Sequence, residues 1–227
     1  MRSYGQYCPV ARAAEVLAER WTFLIIRNLM FGADTFSALK AGVPQMSRSV
    51  LVTRLRELER ADVVRRTPKA GRGYRYELTE AGRDLAPVID ALSVWGERWV
   101  EIGPEHTDPG FALWAWCEVQ LDRGALPDRR LVVAFSFPDQ PVGNRHYWLL
   151  VEGGDAQVCY TDPGGEPALQ VTAESRAFID WHRGRLSWSR AVSSGRIEVS
   201  GRREYARALP TWNLRAPHLP APGSKVR

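Results

Sequence analysis

Arg48, Ser49, Thr53 and Arg56 combine two guanidinium groups with two hydroxyls at spacings that one helical face can present together. Such a set can do anion chemistry: the cations meet phosphates, and the short polar side chains reach hydrogen-bonding edges between them. At about 100° per residue, Ser49, Thr53, Arg56 and Arg60 fall on one side of a helix, while Leu51, Leu55 and Leu58 fall on the other. Ser47 precedes the run and is placed to cap it, accepting a backbone N–H that the first turn leaves unpaired. Lys69, Arg72 and Arg75 follow within two dozen residues, on and beside a Gly-punctuated turn. Between Lys40 and Arg75 ten Lys or Arg face three acids, so about +7 of charge is concentrated in a chain whose total is +5. A basic helix beside a basic loop suits a phosphate backbone, because counterions released on contact drive the binding.

The elements that must hold these residues can be read outward from them. Val63–Thr67 and Tyr74–Leu78 have the composition of two short strands joined by the basic turn, which makes a cationic hairpin after the helix. Upstream, Cys8–Leu17 reads as a helix with Pro9 early in it, where a missing N–H costs nothing. Arg20–Met30 is apolar on most sides and should be a buried second helix closed by Gly32. Asp34 or Thr35 caps a third, short helix through Ala41, and Gly42–Pro44 turns into the basic helix. Downstream, Leu85, Ile89, Leu92 and Trp99 recur at helical steps, predicting one helix from about Thr79 to Glu101 that can serve as a dimer surface. Helix, turn, helix and wing follow one another in the order DNA-binding modules use.

Composition excludes several other classes. The chain is 44% hydrophobic and 25% charged, ordinary for a globular protein, and its 227 residues suit two domains. No apolar run is long enough for a membrane helix, and Met1–Gly5 lacks a signal peptide's apolar core, so a cytoplasmic protein without membrane contact is expected. Three separated cysteines, none in a C-x-x-C pair, and four histidines without ligand spacing imply neither disulfides nor a metal. Gly71-Arg-Gly73 begins a dinucleotide fingerprint, but Tyr76 stands at the third glycine position; with no nucleophile elbow either, no enzyme and no cofactor is expected.

Residues 8–101 resemble the HxlR family of winged-helix transcriptional regulators. The resemblance is carried by Cys8-Pro, Arg20-Trp21 with the apolar helix after it, Phe36-Ser-Ala-Leu, Leu51-x-x-Arg54-Leu55-x-x-Leu58 and Tyr76-Glu-Leu-Thr-Glu-Ala-Gly82. It implies a homodimer that sets two recognition helices in successive major grooves of double-stranded DNA, with the wings beside the backbone. The DNA-binding residues expected are Arg48, Ser49, Thr53, Arg56, Lys69, Arg72 and Arg75. Family members often carry Lys where this chain has Ser49 and a hydroxyl residue where it has Val52, so their base preferences do not transfer.

The turn-rich stretch from 102 to 110 reads as a linker, which divides the chain into a DNA-binding and dimerisation domain at 1–103 and a second domain at 104–213, with a disordered tail at 214–227. The second domain reads as a helix at 111–121, four strands in an antiparallel meander, two helical stretches, a fifth strand at 196–200 and a closing helix. Its Asp155–Gly164 turn, the Leu-x-Val-Thr-Ala strand, Trp181–Gly184 and the segment 194–201 resemble the sterol-carrier-protein-like fold. The fold class expected for the whole chain is therefore α+β, a winged helix followed by a mainly antiparallel sheet covered by helices. This second resemblance implies an apolar ligand site, and the aromatic residues Phe135, Phe137, Trp148, Tyr160, Phe178, Trp181 and Trp188 are its candidate lining, the alternative being a filled core.

Two other functions compete with a ligand-gated regulator. Cys8 can act as a redox sensor, with Arg12 one helical turn away to favour its thiolate and the second domain purely structural; the bland reading is a small buried thiol. A lipid or metabolite carrier whose winged part binds protein is the third, and the basic recognition segment argues against it.

Overall fold

A computed structural model describes residues 3–69, 71–101 and 103–214; the expected tail falls almost wholly outside the described residues. The chain forms two compact units that part between residues 101 and 102, each with its own core.

The first unit begins with helix α1 (Pro9–Leu17), which Pro9 opens, and α2 (Thr22–Met30). Trp21 sits between them at φ 81°, a left-handed conformation that costs a bulky residue, with the Arg20 guanidinium 4.8 Å above its ring. Ile25 and Ile26 of α2 are fully buried, and so is Asn28, whose amide donates to Leu39 O while its oxygen accepts from Arg27. Burial pulls the Arg27 guanidinium down to about 10. α3 (Phe36–Ala41) starts where Thr35 Oγ1 accepts from Ala38 N at 3.2 Å, and α4 (Arg48–Arg60) where Ser47 Oγ accepts from Val50 N at 3.3 Å. The hairpin strands β1 (Val64–Pro68) and β2 (Tyr74–Leu78) pair antiparallel, Arg66 opposite Tyr76. Gly71 and Gly73 turn the chain at φ 98° and 103°, conformations glycine adopts without penalty.

The expected single helix after the hairpin is two. α5 (Glu80–Arg83) ends after one turn, and α6 (Ala86–Trp99) starts afresh. Pro87 lacks the N–H that a continuing helix would need at that point. Gly82 lies so close to the hairpin that a Cβ there would stand 2.1 Å from Val63 O.

In the second unit Asp108 caps α7 (Pro109–Ala115), accepting from Gly110 and Phe111 N, and the chain then widens into a π-helical turn over Trp116–Gln120 where the sequence suggested plain helix. Five strands follow: β3 (Leu131–Ser136), β4 (His146–Glu152), β5 (Asp155–Cys159), β6 (Leu169–Ala173) and β7 (Ile197–Gly201). α8 (Ser175–His182), α9 (Trp188–Ser193) and α10 (Arg203–Ala208) complete the unit.

The sheet order is β5-β4-β3-β6-β7, which corrects the expected meander. β3, β4 and β5 do meander, but β6 returns to pair parallel with β3, Val133 opposite Leu169. Arg130 pins that return by donating to Pro163 O and Gly164 O at 3.1 and 2.9 Å. The remaining three pairings are antiparallel, so the unit is α+β with a mainly antiparallel sheet. Strand alternation points Leu131, Val133, Phe135, Leu149, Val151 and Val171 into one core under the helices, and turns Trp148, Gln157, Gln170 and Thr172 to the other face. The segment ending at Leu214 straps across the π-turn through Asp122 N to Trp212 O and Leu214 N to Gln120 O, at 2.7 and 2.6 Å.

Candidate nucleic-acid interface

Leu51, Leu55 and Leu58 are each at most 2% exposed, which fixes the rotation of α4 about its own axis. The opposite side therefore faces out: Arg48, Ser49, Thr53, Arg56 and Arg60 are all exposed. Thr53 Oγ1 donates to Ser49 O at 3.0 Å, so its proton is committed and it offers outward an acceptor lone pair and a methyl group. Ser49 Oγ lies 3.0 Å from the capping Ser47 Oγ.

Ion pairing sorts the ten basic residues of this segment into two groups. Arg54 bonds Glu19 at 2.8 Å and also pairs with Glu57, Arg65 meets Glu77 at 2.8 Å, Arg66 meets Glu59 at 3.2 Å, and Arg75 meets Asp34 at 2.6 Å. Lys40 donates to Pro44 O and steadies the turn into α4. Arg48, Arg56, Arg60, Lys69 and Arg72 have no carboxylate partner among the described residues, and all five are exposed. Net positive charge thus comes from the α4 face and the hairpin tip, not from the hairpin strands. Of the residues the sequence nominated, the structure puts Arg48, Ser49, Thr53 and Arg56 on one helix face and Lys69 and Arg72 at the tip; Arg75 lies farther down the hairpin, tied to Asp34. Arg60, which helical spacing places on the same face without its being nominated as a DNA contact, is exposed there as well.

Backbone contacts aim the hairpin. Tyr76 N donates to Asp34 O at 2.8 Å, Thr35 and Arg75 form an antiparallel bridge, and Thr79 N donates to Val63 O. These hold β2 against the α2–α3 connection, so the wing and the helix-turn-helix form one body.

A family model of HxlR-like helix-turn-helix proteins matches residues 16–103. The HTH-type transcriptional regulator YvaP of Bacillus subtilis, named as uncharacterized, is 36% identical over 100 residues, 43% of this chain and 93% of its own length. The chain belongs to the HxlR family. HxlR-family proteins are DNA-binding transcriptional regulators rather than enzymes, and this one carries the family's winged helix in its first unit. A second relative, Rv3095 of Mycobacterium tuberculosis, is 38% identical over 116 residues, 44% of this chain and 72% of that one. Among solved structures, the reduced form of the Bacillus subtilis transcriptional regulator YodB is 34% identical, covering 43% of this chain and 99% of the other at a TM-score of 0.37. Apart from its first two residues, the second unit of this HxlR-family chain lies beyond the residues that the family model matches.

In that unit the seven nominated aromatic residues do not form one group. Phe135, Phe137, Phe178 and Trp181 are buried and meet edge to face or tilted: Phe135 and Phe137 each lie 5.8 Å from Phe178, and Trp181 lies 5.4 Å from it, with Trp116 wedged among them. Trp188 reaches this cluster through Trp181 at 4.8 Å. Trp148 is on the other sheet face, and Tyr160 meets Tyr147 edge to face at 5.8 Å at the margin. Burial raises the Tyr147 phenol to about 12. Trp116 Nε1, Trp212 Nε1 and Tyr205 OH are buried without a protein partner among the described residues. His182, also buried, is held neutral by desolvation, which drags it down to about 3, and its Nδ1 lies 2.6 Å from Gln120 Oε1.

Cys8 is the N-cap residue of α1 and is partly exposed. Cys117 is buried against Ala156 O, and burial pushes its thiol up to about 12. Among the described residues no cluster of His, Cys, Asp or Glu is placed to hold a metal ion, and no helix is long and apolar enough to cross a membrane.

Proposed function

We propose that the chain acts in the cytoplasm as a homodimeric, sequence-specific regulator that inserts α4 into the DNA major groove and rests the hairpin tip on the neighbouring backbone. The observation that carries this reading is the sorting of charge: the five basic residues without carboxylate partners lie on the α4 face and at the tip, and the paired ones lie elsewhere. Arg48 and Arg56 would meet guanine edges or adjacent phosphates, and Lys69 and Arg72 the backbone. Thr53, with its proton committed, fits a base that offers a donor or a methyl group: adenine, cytosine or thymine. Arg56→Ala should weaken binding to the DNA upstream of the gene by about 10- to 100-fold. Fluorescence anisotropy with that duplex checks it, and unchanged affinity would place the DNA face elsewhere.

α6 supports the dimer. Val88, Leu92, Trp95 and Trp99 recur at steps of four, three and four residues, and Trp95 and Trp99 are 59% and 63% exposed. That is an apolar stripe of coiled-coil spacing, which a second copy of the same helix covers. Trp95→Glu should yield a folded monomer by analytical ultracentrifugation; a wild-type monomer at micromolar concentration would refute the dimer.

For the second unit we infer an apolar effector, a reading supported by the buried donors without a protein partner, Trp116 Nε1, Trp212 Nε1 and Tyr205 OH; the rings around Phe178 pack at 5.4–5.9 Å, so they would have to part to admit it. Each such donor left unsatisfied costs about 1–3 kcal/mol, which favours an acceptor-bearing occupant. The redox reading rests on the partly exposed Cys8 thiol at a helix N-terminus. Cys8→Ser discriminates the two: an oxidant response lost with it makes Cys8 the sensor, and a response retained removes Cys8 from the mechanism.

A further inference from the structure

A groove of about 570 Å³ runs between the C-terminal end of α2, the second wing strand and the start of α6. Leu29, Met30, Leu78 and Ala86 give it an apolar floor, and Tyr76 forms an aromatic wall. Its size is that of small-molecule sites, and the residues of its apolar floor are half-buried or buried. Three charged residues stand at the rim besides: Asp34, Glu77 and Arg83.

Both rim acids are neutralised from outside the groove. Asp34 bonds Arg75 at 2.6 Å and Glu77 bonds Arg65 at 2.8 Å. Arg83 is different: one of its terminal nitrogens donates to Leu78 O at 2.7 Å, and it makes no ion pair within 4.0 Å among the described residues, although Glu59, Asp62 and Glu80 share a second depression with it outside the groove. A carbonyl satisfies a donor without cancelling the charge, so Arg83 is the rim cation that has no ion-pair partner within the groove. Two helix ends also face it: the start of α6, which favours an anion, and the end of α2, which opposes one. Each acts as about half a charge, so they roughly offset and the guanidinium decides the sign.

We propose that this groove binds a small organic anion, a carboxylate on an aromatic or short aliphatic body, with Arg83 taking the carboxylate and Leu29, Met30 and Leu78 taking the body. The ligand class follows from the rim cation without an ion-pair partner in the groove and from planar guanidinium–carboxylate pairing. Its role rests on the regulator reading above, although its chemistry does not. Tyr76, Glu77 and Leu78 are wing residues, whereas Ala86 opens α6, so an occupant touches the DNA-contacting hairpin and the apolar helix at once. Filling the groove wedges the wing from the α2 side, where Tyr76 N to Asp34 O now holds it close.

The test is calorimetric titration of the full-length protein with benzoate and hexanoate, and with benzamide and hexanamide as uncharged counterparts. Each carboxylate should bind once per chain, and Arg83→Gln should weaken it about ten-fold or more. The amides should bind wild type and Arg83→Gln alike and weakly. Ala86→Phe, which fills the groove, should abolish carboxylate binding; if that variant does not fold, Arg83→Gln decides alone. Equal affinity of wild type and Arg83→Gln for benzoate, or no benzoate heat at all, overturns the site. Absence of benzoate heat together with conversion of the Ala86→Phe protein to monomer also overturns it, since a second copy then fills the groove. Titration with upstream DNA in the absence of benzoate separates the two readings: intact DNA binding without carboxylate binding removes only this site, and carboxylate binding without DNA binding removes the regulator reading and leaves the site standing.

Discussion

If the charge sorting is right, two neighbouring arginines of the wing behave differently toward salt. Arg72 is exposed without a carboxylate partner among the described residues, whereas Arg75 is held by Asp34 at 2.6 Å. Each phosphate contact on duplex DNA contributes about 0.9 to the slope of log affinity against log salt. In a homodimer Arg72→Ala removes two contacts, so the slope should become shallower by about 1.8. Between ~50 and ~200 mM salt the variant should then lose roughly ten-fold less affinity than wild type does. Replacing Arg75 alone would leave Asp34 unpaired beside the DNA, so the appropriate comparison is Arg75→Ala combined with Asp34→Ala, which removes the pair and keeps net charge constant. That double variant should change the slope by less than about 0.5, within the scatter for a residue that touches no phosphate. Anisotropy titrations of the three proteins at four or more salt concentrations measure it. If the double variant flattens the slope as much as Arg72→Ala, Arg75 leaves Asp34 for a phosphate on binding, and the division into paired and available cations is wrong.

Other outcomes follow from the cores. His182 is neutral when folded, down at about 3 against an ordinary 6.5, so the unfolded chain binds the extra proton and stability falls as pH drops below about 6.5, reaching its full loss only near 3. The expected loss at pH 5 is about 2 kcal/mol, read as the urea midpoint followed by tryptophan fluorescence. His182→Gln keeps an N–H for Gln120 and should lose that pH dependence; an equally steep fall in the variant would exonerate the histidine. Gly82→Ala drives a methyl group to 2.1 Å from Val63 O and should destabilise the first unit by roughly 2 kcal/mol, and a midpoint unchanged in urea would mean the α5 turn can retreat.

The parts of this molecule that were legible in the sequence are those fixed by neighbours in the chain. Ser47 and Thr35 cap the helices they precede because a cap needs only the N–H three residues on. Leu51, Leu55 and Leu58 face inward because helical periodicity is local. Which cations stay available was not legible: Arg75 looks like Arg72 until Asp34, forty-one residues earlier, is seen beside it. The break between α5 and α6 was written at Pro87 but outvoted by the apolar periodicity on both sides of it. The parallel pairing of β6 with β3 was invisible because alternation tells which face a residue takes, not which neighbour its strand takes. The same blindness covers the aromatic residues, since seven side chains in one list fall on two faces of a sheet and its margin.

The strap at the end of the second unit has a consequence for how the protein is made. Gln120 and Leu214 share a hydrogen bond though they are nearly a hundred residues apart, and the sheet between them closes only when β6 crosses back to β3. The returns of the first unit, Tyr76 N to Asp34 O and Arg54 to Glu19, span about forty residues at most and lie wholly before residue 102, so on the ribosome the DNA-binding half can be finished while the other half is still an unclosed chain. The two halves therefore close in chain order, the winged helix before the sheet that the strap completes.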